Sequence, residues 1–248
     1  MASTTRKQRE LEAREQLILD VAERLVGERG YLGMNMDLIA QATEYSKGTI
    51  YQHFSSKEEV LTALTERMAK ERVRLFEKAA TFQGRPRERM AAVGLSFDLF
   101  AMLYPTYVHI EQIVTADSIR AKATERRLDS LQVKEVACLA ITTGLVRDGI
   151  AAGDLVLPPG TTPEGLVMGL WMITYGGLSL IAGKPDLAPP SQGHPFPGDP
   201  SEILRRNQNA ILDGYGWRPL TDEWDYEATR RRALTEVFPD EAHQAGLL

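Results

Sequence analysis

Apolar residues recur every three or four positions along this chain, and no segment alternates strictly between apolar and polar residues. This spacing predicts an all-α fold without internal repeats. A first helix is expected to run to about Arg29 and to end at Gly30, because glycine commonly terminates helices. Its apolar stripe is formed by Leu11, Leu17, Ile18, Val21, Ala22, Leu25 and Val26.

Residues 35–57 are predicted to form a short helix, a turn and a second short helix. Asn35 can cap the first helix, residues 43–46 are too few and too polar to be more than a turn, and Ile50 and Phe54 point inward from the second helix. Its other side chains can donate hydrogen bonds or carry positive charge, as a helix in the major groove requires. They are Ser46, Lys47, Thr49, Tyr51 and His53. The alternative is a polar face that contacts only water.

A long fourth helix is predicted to begin at the capping box 56–59 and to end near Phe82, linking two domains mechanically. A fifth helix, from Met90 to Tyr104, is stopped by Pro105. Further helices are predicted at 105–116, 124–149, 166–182, 201–213 and about 226–238.

The C-terminal part contains one segment with little prospect of regular structure. Residues 183–200 hold six prolines and three glycines. Residues 216–220 are predicted to form a turn, and the helix at 226–238 an extra appendage with Arg230–Arg232 on a solvated face.

The helix at 166–182 is uncharged and apolar all round, so it must be covered on every side. It is short for a membrane span and contains three glycines, which favours a buried helix of a soluble protein. One face is predicted to meet its own domain and the other a second copy, with small residues allowing close approach. That second face contains Gly169, Ile173, Gly176, Gly177 and Leu180. The alternative is a central core helix in a monomer.

Composition agrees with a cytoplasmic regulator. The 248 residues are 43% hydrophobic, enough for a real core, and the single cysteine, Cys138, cannot form an intrachain disulfide. Residues 1–10 lack the apolar stretch of a signal peptide. The net charge of −5 lies entirely in residues 81–248, because residues 1–80 hold 13 basic and 13 acidic side chains. We therefore expect a local basic DNA footprint, with weak nonspecific binding.

Aromatic and methionine side chains on three of the later helices suggest a cavity for a bulky, mostly apolar effector. The candidate ligand-binding residues are Phe97, Phe100, Tyr104, Tyr107, His109, Met168, Trp171, Met172 and Tyr175. The alternative at each position is an ordinary core residue. We find no convincing metal-ligand spacing, catalytic triad or phosphate-binding loop, so neither a cofactor nor an enzyme is expected.

The run from Ile18 to Leu64 resembles the N-terminal domain of the TetR family of bacterial transcriptional regulators. The family pattern matches Gly30, Ile39-Ala40, Ser46-Lys47-Gly48-Thr49-Ile50-Tyr51-Gln52-His53-Phe54 and Ser56-Lys57-Glu58. The resemblance covers about a quarter of the chain. The turn, usually Ala-Gly-Val-Ser in the family, is Thr-Glu-Tyr-Ser here, so Glu44 stands where a glycine with positive φ is often wanted.

The resemblance implies a helix-turn-helix motif at 35–54 within a DNA-binding domain at 11–71, preceded by a flexible arm at 1–10. By the same resemblance Lys47 and Thr49 match base-contacting positions, whereas Tyr51, His53 and Lys57 match phosphate-contacting ones. The full set of candidate DNA-binding residues adds Asn35, Tyr45, Ser46 and Gly48.

The resemblance further implies that residues 72–248 form a bundle for ligand sensing and dimerisation. The last two core helices would pair with those of a twin, which adds Ile203, Asn207 and Ile211 to the interface. The expected function is a homodimeric repressor released from a palindromic DNA operator by a small-molecule effector. The alternatives are an effector-independent DNA-binding protein, whose C-terminal domain only dimerises or binds a protein partner, and an all-α enzyme that borrowed the fold.

Overall fold

The structure is a computed structural model that describes residues 5–183 and 199–248. Within these residues it is helical and contains no strand, which confirms the predicted all-α class. The helices are α1 (Arg6–Gly33), α2 (Met36–Thr43), α3 (Lys47–His53), α4 (Lys57–Ala80), α5 (Pro86–Leu103), α6 (Pro105–Val114), α7 (Asp117–Arg120), α8 (Glu125–Ala151), α9 (Pro163–Gly183), α10 (Pro200–Gly214), α11 (Tyr226–Glu236) and α12 (Pro239–Gln244). Most of the Pro/Gly-rich segment predicted at 183–200 lies outside the described residues.

The chain divides into two compact units. The first comprises Met1–Met68 and His109–Gln132, and the second Ala69–Val108 and Val133–Leu248. The sequence predicted a single domain boundary between residues 71 and 72, which would place the segment 109–132 in the second domain. In the structure this segment packs with the first unit, because its basic side chains form ion pairs with carboxylates of α1 and α4.

Helix α1 begins earlier than the predicted stripe suggested. Thr5 caps it, its hydroxyl accepting a hydrogen bond from the Gln8 amide at 3.2 Å, so residues 6–10 of the predicted flexible arm are helical. Leu11 and Leu17 are exposed, which corrects their placement in the apolar stripe. The other five residues of that stripe are buried, together with Leu19, which the stripe omitted.

The break predicted at Gly30 is present. Gly30 has φ 69° and ψ 174°, a non-helical backbone conformation that residues with a side chain rarely adopt. Helix α1 kinks at this residue, before its last turn. Met34, just beyond the helix, is fully buried. The kink therefore turns the chain toward α2.

The second unit contains α5, residues 69–80 of α4, residues 105–108 of α6, residues 133–151 of α8 and the helices α9 to α12. Helix α5 begins with Pro86 at its first position, and the Glu88 carboxylate accepts from the Arg85 amide at 3.0 Å, which closes its N-terminus. Helix α9 packs against α10, and α11 packs against α5.

The C-terminal segment is part of this core, which corrects the prediction of an appendage. Trp217, Ala233, Phe238 and Ala242 are completely buried, and α12, which the sequence pattern did not predict, packs on α5 and α11. Burial of this much apolar surface explains why the segment folds back onto the unit.

Among the described residues, no single helix is long and apolar enough to span a membrane. Helices α5 and α6 meet the length and composition requirement only as a pair, and they are bent by 96° where they join.

Candidate functional site

Helix α3 is held by caps at its beginning and by a buried residue on its inner face. The Asn35 side chain caps α2 by accepting from the Leu38 amide at 2.9 Å. The Ser46 hydroxyl accepts from the Thr49 amide at 3.1 Å and so caps α3. Ile50 is fully buried beneath it. These local interactions fix the orientation of the outer face of α3.

The turn between α2 and α3 has the conformation that the sequence anticipated. Glu44 has φ 59° and ψ 21°, the left-handed region, and its backbone amide closes the end of α2 by donating to Ala40 and Gln41. A side chain other than glycine carries a conformational cost there, on the order of 1 kcal/mol. The tight turn that brings α3 out of α2 is therefore made in spite of Glu44.

Lys47, the first residue of α3, is paired with an acidic side chain of α2. Its ammonium lies 2.7 Å from a carboxylate oxygen of Asp37, and both side chains are more than half exposed, at 65% and 61%. An exposed pair of this kind is worth well under about 1 kcal/mol, so Lys47 can exchange Asp37 for another acceptor.

The predicted DNA-binding residues differ in exposure. Asn35, Ser46, Lys47, Gly48 and Tyr51 are exposed, whereas Tyr45, Thr49, His53 and Lys57 are half-buried. A β-carbon at Gly48 would meet only the Ser46 hydroxyl, at an ordinary 3.7 Å. Nothing within the described chain therefore requires glycine at this position.

Lys57 is held in place at the start of α4. Its ammonium lies 4.1 Å from the centre of the Tyr31 ring and 3.4 Å from the Tyr31 carbonyl oxygen. At this helix end the Ser56 hydroxyl accepts from the Glu59 amide at 3.1 Å. This is one half of the predicted capping box; the return hydrogen bond to the Glu59 carboxylate comes from the amide and hydroxyl of Ser55 instead of the Ser56 amide.

Beside Lys57, the buried Glu58 organises a polar cluster. Its carboxylate accepts from the Tyr31 hydroxyl at 2.9 Å and from the Lys122 ammonium at 3.1 Å. Burial alone would raise the pKa of Glu58, but hydrogen bonds from its own backbone, Lys122 and Tyr31 leave that pKa below its ordinary value. Burial and the neighbouring Glu58 raise the pKa of Tyr31 to about 12.

A second cluster is centred on Arg127, in the first turn of α8. Its guanidinium lies 3.0 Å from Glu15, 3.2 Å from Glu66 and 3.6 Å from Glu59, and its side chain is only 6% exposed. The same group lies 5.1 Å from the ring centre of Phe54, the residue that ends α3. Arg127 thus joins three helices of the first unit behind α3.

The second unit contains a cavity of about 150 Å³ that is partly open to solvent. Its apolar wall includes Phe76 of α4, Phe97 of α5, Leu139 of α8 and Trp171 of α9. Across α9 and α10 the wall also carries a polar contact, because the amide of Gln208 donates to the Thr174 hydroxyl at 2.7 Å. The cavity therefore combines a hydrophobic interior with polar groups.

The polar end of this cavity is formed by helices α10 and α11. Arg205 and Arg230 line it and share the carboxylate of Asp98, which lies 2.8 Å from Arg230 and 3.8 Å from Arg205. Burial raises the pKa of Asp98 above its ordinary value, although both arginines oppose that effect. The sequence suggested that Arg230 lies on a solvated face, and this was wrong, because Arg230 lines the cavity and pairs with Asp98. Its neighbour Arg231 is 69% exposed.

Two of the predicted ligand-binding residues, Phe97 and Trp171, line this cavity. The other seven do not. Phe100 and Tyr107 are buried in the core, Met172 is 64% exposed, and His109 is exposed in the first unit. Tyr104, Met168 and Tyr175 are half-buried away from the cavity wall. Helical spacing identified α5 and α9, but α6 contributes no residue to the cavity wall. Residues on one helix can face either the cavity or the packed core.

The predicted interface residues also separate into two groups. Gly176 and Leu180 are exposed and share one face of α9 with Met172, an exposed residue that was predicted to bind ligand. Gly169 and Gly176 have no neighbouring atom within 4 Å of an added β-carbon. A β-carbon at Gly177 would lie 3.0 Å from Leu204, so Gly177 allows α9 and α10 to approach within one chain.

On helix α10, only one of the three predicted interface residues is exposed. Asn207 is exposed, and its amide donates to the Ile203 carbonyl oxygen at 3.0 Å. Ile203 and Ile211 are half-buried, whereas Leu204 and Leu212 form the buried side of the helix.

No group of three or more His, Cys, Asp or Glu residues in the described part of the chain is arranged to hold a metal ion.

The sequence pattern did not reveal Arg127 behind α3 or the arginines of the cavity. Arg127 belongs to a polar stretch that, by pattern alone, reads as a solvated helix face. Arg205, Arg230 and Tyr226 come together only because α10 and α11 both reach the cavity. A weak signal was present: Thr174 is a polar residue between two apolar positions of α9, and Gln208 lies four residues from both Leu204 and Leu212.

The capped helix pair with a polar outer α3 defines a helix-turn-helix domain, as found in regulators that bind DNA. Residues 18–64 match the family described as bacterial regulatory proteins, tetR family. The chain is 27% identical, over 139 residues, to a fatty acid metabolism regulator protein of Bacillus subtilis; this covers 56% of the chain and 69% of that relative.

Two solved structures show the same fold. A transcriptional regulator of the TetR/AcrR family from Thermobifida fusca aligns with a TM-score of 0.60 and 22% identity, covering 82% of this chain and 98% of that one. The fatty acid degradation regulator FadR from Bacillus halodurans aligns with a TM-score of 0.60 and 16% identity, covering 80% and 98%. Residues 18–64 belong to the tetR family of bacterial regulatory proteins, so the chain carries the helix-turn-helix domain of a transcriptional regulator. This domain family is one of regulators rather than of enzymes.

Proposed function

We propose that this protein is a homodimeric repressor that leaves a palindromic operator when a small, largely apolar molecule enters the cavity of the second unit. The observation that carries the DNA-binding part is the outer face of α3. There Ser46, Lys47 and Tyr51 are exposed, while Ile50 anchors the helix from inside. Exposed donors on a rigid helix are what direct readout of base edges needs.

Effector release is supported by the cavity and by the relatives. A cavity with an apolar wall and a few polar groups is the usual form of a small-molecule site. The relatives named as fatty acid regulators are consistent with an apolar metabolite as the ligand. A protein that only dimerised would need no such cavity, so the effector-independent alternative is less well supported.

The mechanism we propose is a change in the spacing of the two recognition helices of a dimer. Ligand would tilt α4, which begins directly after α3. Half-sites lie about one helical turn apart, roughly 34–36 Å, so a shift of a few ångströms misaligns the second subunit. Ligand and operator would then oppose each other by linkage.

The DNA contacts can be tested with two lysine variants. Lys47→Ala is expected to relax sequence preference at particular base pairs, by about 1–3 kcal/mol each, because a base contact is lost. Lys57→Ala is expected to weaken binding to all sequences alike and to lower the salt slope by about one, because a phosphate contact is lost. Selection from a randomised duplex library, followed by affinity measurements at several salt concentrations, provides both readouts.

The matched control is Lys70→Ala, an exposed lysine of α4 outside the helix-turn-helix, which should leave both quantities unchanged. If Lys47→Ala retains the wild-type sequence preference, Lys47 does not read bases. If wild type binds no duplex from the library, the proposed function itself is wrong.

Assembly can be tested on the exposed face of α9. Met172→Glu places a charge on a side chain that is 64% exposed in the single chain, so the monomer should fold normally. Burying that charge in a dimer seam is costly, and the variant is expected to sediment as a monomer. Such a monomer holds only one half-site, so its operator affinity should fall at least tenfold.

Val156→Glu serves as the control, because Val156 is 83% exposed in a loop outside α9 and α10. Gly176→Leu, on the same face as Met172, should reproduce the monomer. A dimer that survives both α9 variants, or a wild type that is monomeric at micromolar concentration, would contradict the proposed interface.

A further inference from the structure

The cavity of the second unit has one chemically distinct end. Its wall from α4, α5, α8 and α9 is mostly apolar, although it includes Arg72 and Glu135, whereas α10 and α11 contribute Arg205, Tyr226, Glu227 and Arg230. Three of these four residues belong to α11, the C-terminal helix that the sequence pattern suggested was an appendage. This helix therefore supplies much of the polar character of the cavity.

Arg205 is the least satisfied of these groups. Its guanidinium forms only long ion pairs, 3.8 Å to Asp98 and 4.0 Å to Glu227, and makes no hydrogen bond within 3.5 Å to the part of the chain that the structure describes. Its side chain is only 26% exposed. A guanidinium has five N–H donors in a planar fork, a geometry that matches a carboxylate.

The nearby carboxylates do not saturate the two arginines. Asp98 is largely buried and engages Arg230 at 2.8 Å through one nitrogen. Glu227 is 64% exposed, so solvent screens its attraction for Arg205. Two guanidinium groups therefore share one buried carboxylate, and an additional anion at this end would be electrostatically favourable.

The size of the cavity limits the rest of the ligand. About 150 Å³ is comparable to an engineered apolar cavity that takes up benzene, and it is below the roughly 300–1,000 Å³ of most ligand pockets. Phe97, Leu139 and Trp171 offer apolar contacts on its wall. The space fits a single ring or a short chain.

We propose that the cavity binds a compact apolar carboxylic acid, with its carboxylate held by Arg205 and Arg230 and its hydrocarbon body against the wall that contains Phe97 and Trp171. This inference rests on the proposed effector function and adds the chemical class of the effector. It makes α10 and α11 the elements that determine ligand specificity.

The test uses the full chain and matched pairs of probes. Phenylacetate and hexanoate, together with their neutral amides, phenylacetamide and hexanamide, are titrated by calorimetry and by thermal unfolding. Both acids are expected to bind and to raise the melting temperature, because a ligand of the native state stabilises it. The amides, equal in size but uncharged, should bind at least tenfold more weakly.

Neighbouring arginines provide controls for the residues. Arg205→Gln should weaken binding of the acids at least tenfold, and Arg205→Lys should recover part of that loss, because it restores the charge. Arg206→Gln should have no effect, because Arg206 is 78% exposed and pairs with Glu202. In the same way Arg230→Gln should lower affinity and Arg231→Gln should not.

The inference is overturned if neither acid binds at millimolar concentration, if acid and amide bind equally, or if Arg206→Gln costs as much as Arg205→Gln. Calorimetry needs no DNA, and operator affinity is measured separately. A chain that binds its operator but no acid therefore refutes the ligand class alone. A chain that binds acids but no duplex refutes the proposed repressor instead.

Discussion

Arg127→Met is expected to lower the free energy of unfolding of the first unit by about 3 kcal/mol, because removing one member of a buried charge cluster leaves the others uncompensated. Arg127 stands against Glu15, Glu59 and Glu66, and its own side chain is 6% exposed. Methionine has a similar length but provides no charge. Three carboxylates would then lose the guanidinium that they share.

The loss should extend to DNA binding. The Arg127 guanidinium lies 5.1 Å from the Phe54 ring centre, so its removal loosens the support of α3. We expect faster amide hydrogen exchange in α2 and α3, and weaker operator binding, at temperatures where the second unit remains folded. Thermal unfolding, hydrogen exchange and operator titration measure these three effects.

Arg126→Met is the matched control, because Arg126 is the preceding residue of α8 and is exposed. It should leave stability and exchange unchanged. Arg127→Lys should be intermediate, since an ammonium is a point charge that cannot serve three carboxylates at once. Wild-type stability in Arg127→Met would show that the cluster contributes nothing net to the first unit.

Arg87→Met is expected to destabilise the second unit by about 3–5 kcal/mol, the usual cost of breaking a buried ion pair from one side. The Arg87 side chain is completely buried. It donates to Asp213 at 2.6 Å and to the carbonyl oxygen of Trp217, and it lies 5.0 Å from the Tyr226 ring centre. Its loss would leave a buried carbonyl group without its donor and would remove from Asp213 its charged partner, although Thr221 would still donate to that carboxylate.

The same pair predicts a pH dependence. Burial alone would raise the pKa of Asp213, but hydrogen bonds from Thr221 and Arg87 leave that pKa below its ordinary value. A carboxyl group with a lowered pKa stabilises the fold above its unfolded pKa of about 3.9, and the stabilisation is lost as the pH falls through the lower folded value. Wild type should therefore lose stability below about pH 4, and Arg87→Met should lose less over that range.

Asp213→Asn separates the two effects. It keeps most of the hydrogen bonding but removes the titrating group, so it should flatten the acid limb of the stability curve at a smaller loss of stability than Arg87→Met. Denaturant unfolding at several pH values is the measurement. An acid limb that is identical in wild type and both variants would exclude this pair as its source.

The sequence determined the class of fold and most of the DNA-binding motif. Helical periodicity predicted the positions of the core helices. Asn35 and Ser46 are residue types that commonly cap helices, and they cap α2 and α3; Gly30 indicated the break at which α1 kinks. These features depend on neighbours within one or two turns. Because such interactions join residues that are close together in the sequence, they can be predicted from a single sequence.

The tertiary structure alone decided which charged residues matter. Arg127 contacts partners as far as 112 residues away, and Arg87 contacts a carbonyl oxygen 130 residues away. No periodicity connects such positions, because a buried ion pair forms between helices that meet only after folding. Read in sequence, an arginine that will be buried looks the same as one that stays in solvent.

The direction in which side chains of α9 point was likewise beyond the sequence. An all-apolar helix has no polar stripe to reveal which face meets its own domain, so Gly177 could not be distinguished from Gly176. Packing against Leu204 of α10 turned Gly177 inward and left Gly176 exposed. Composition thus determined that α9 must be covered, and only the packing of its neighbours decided which face remains available to a partner.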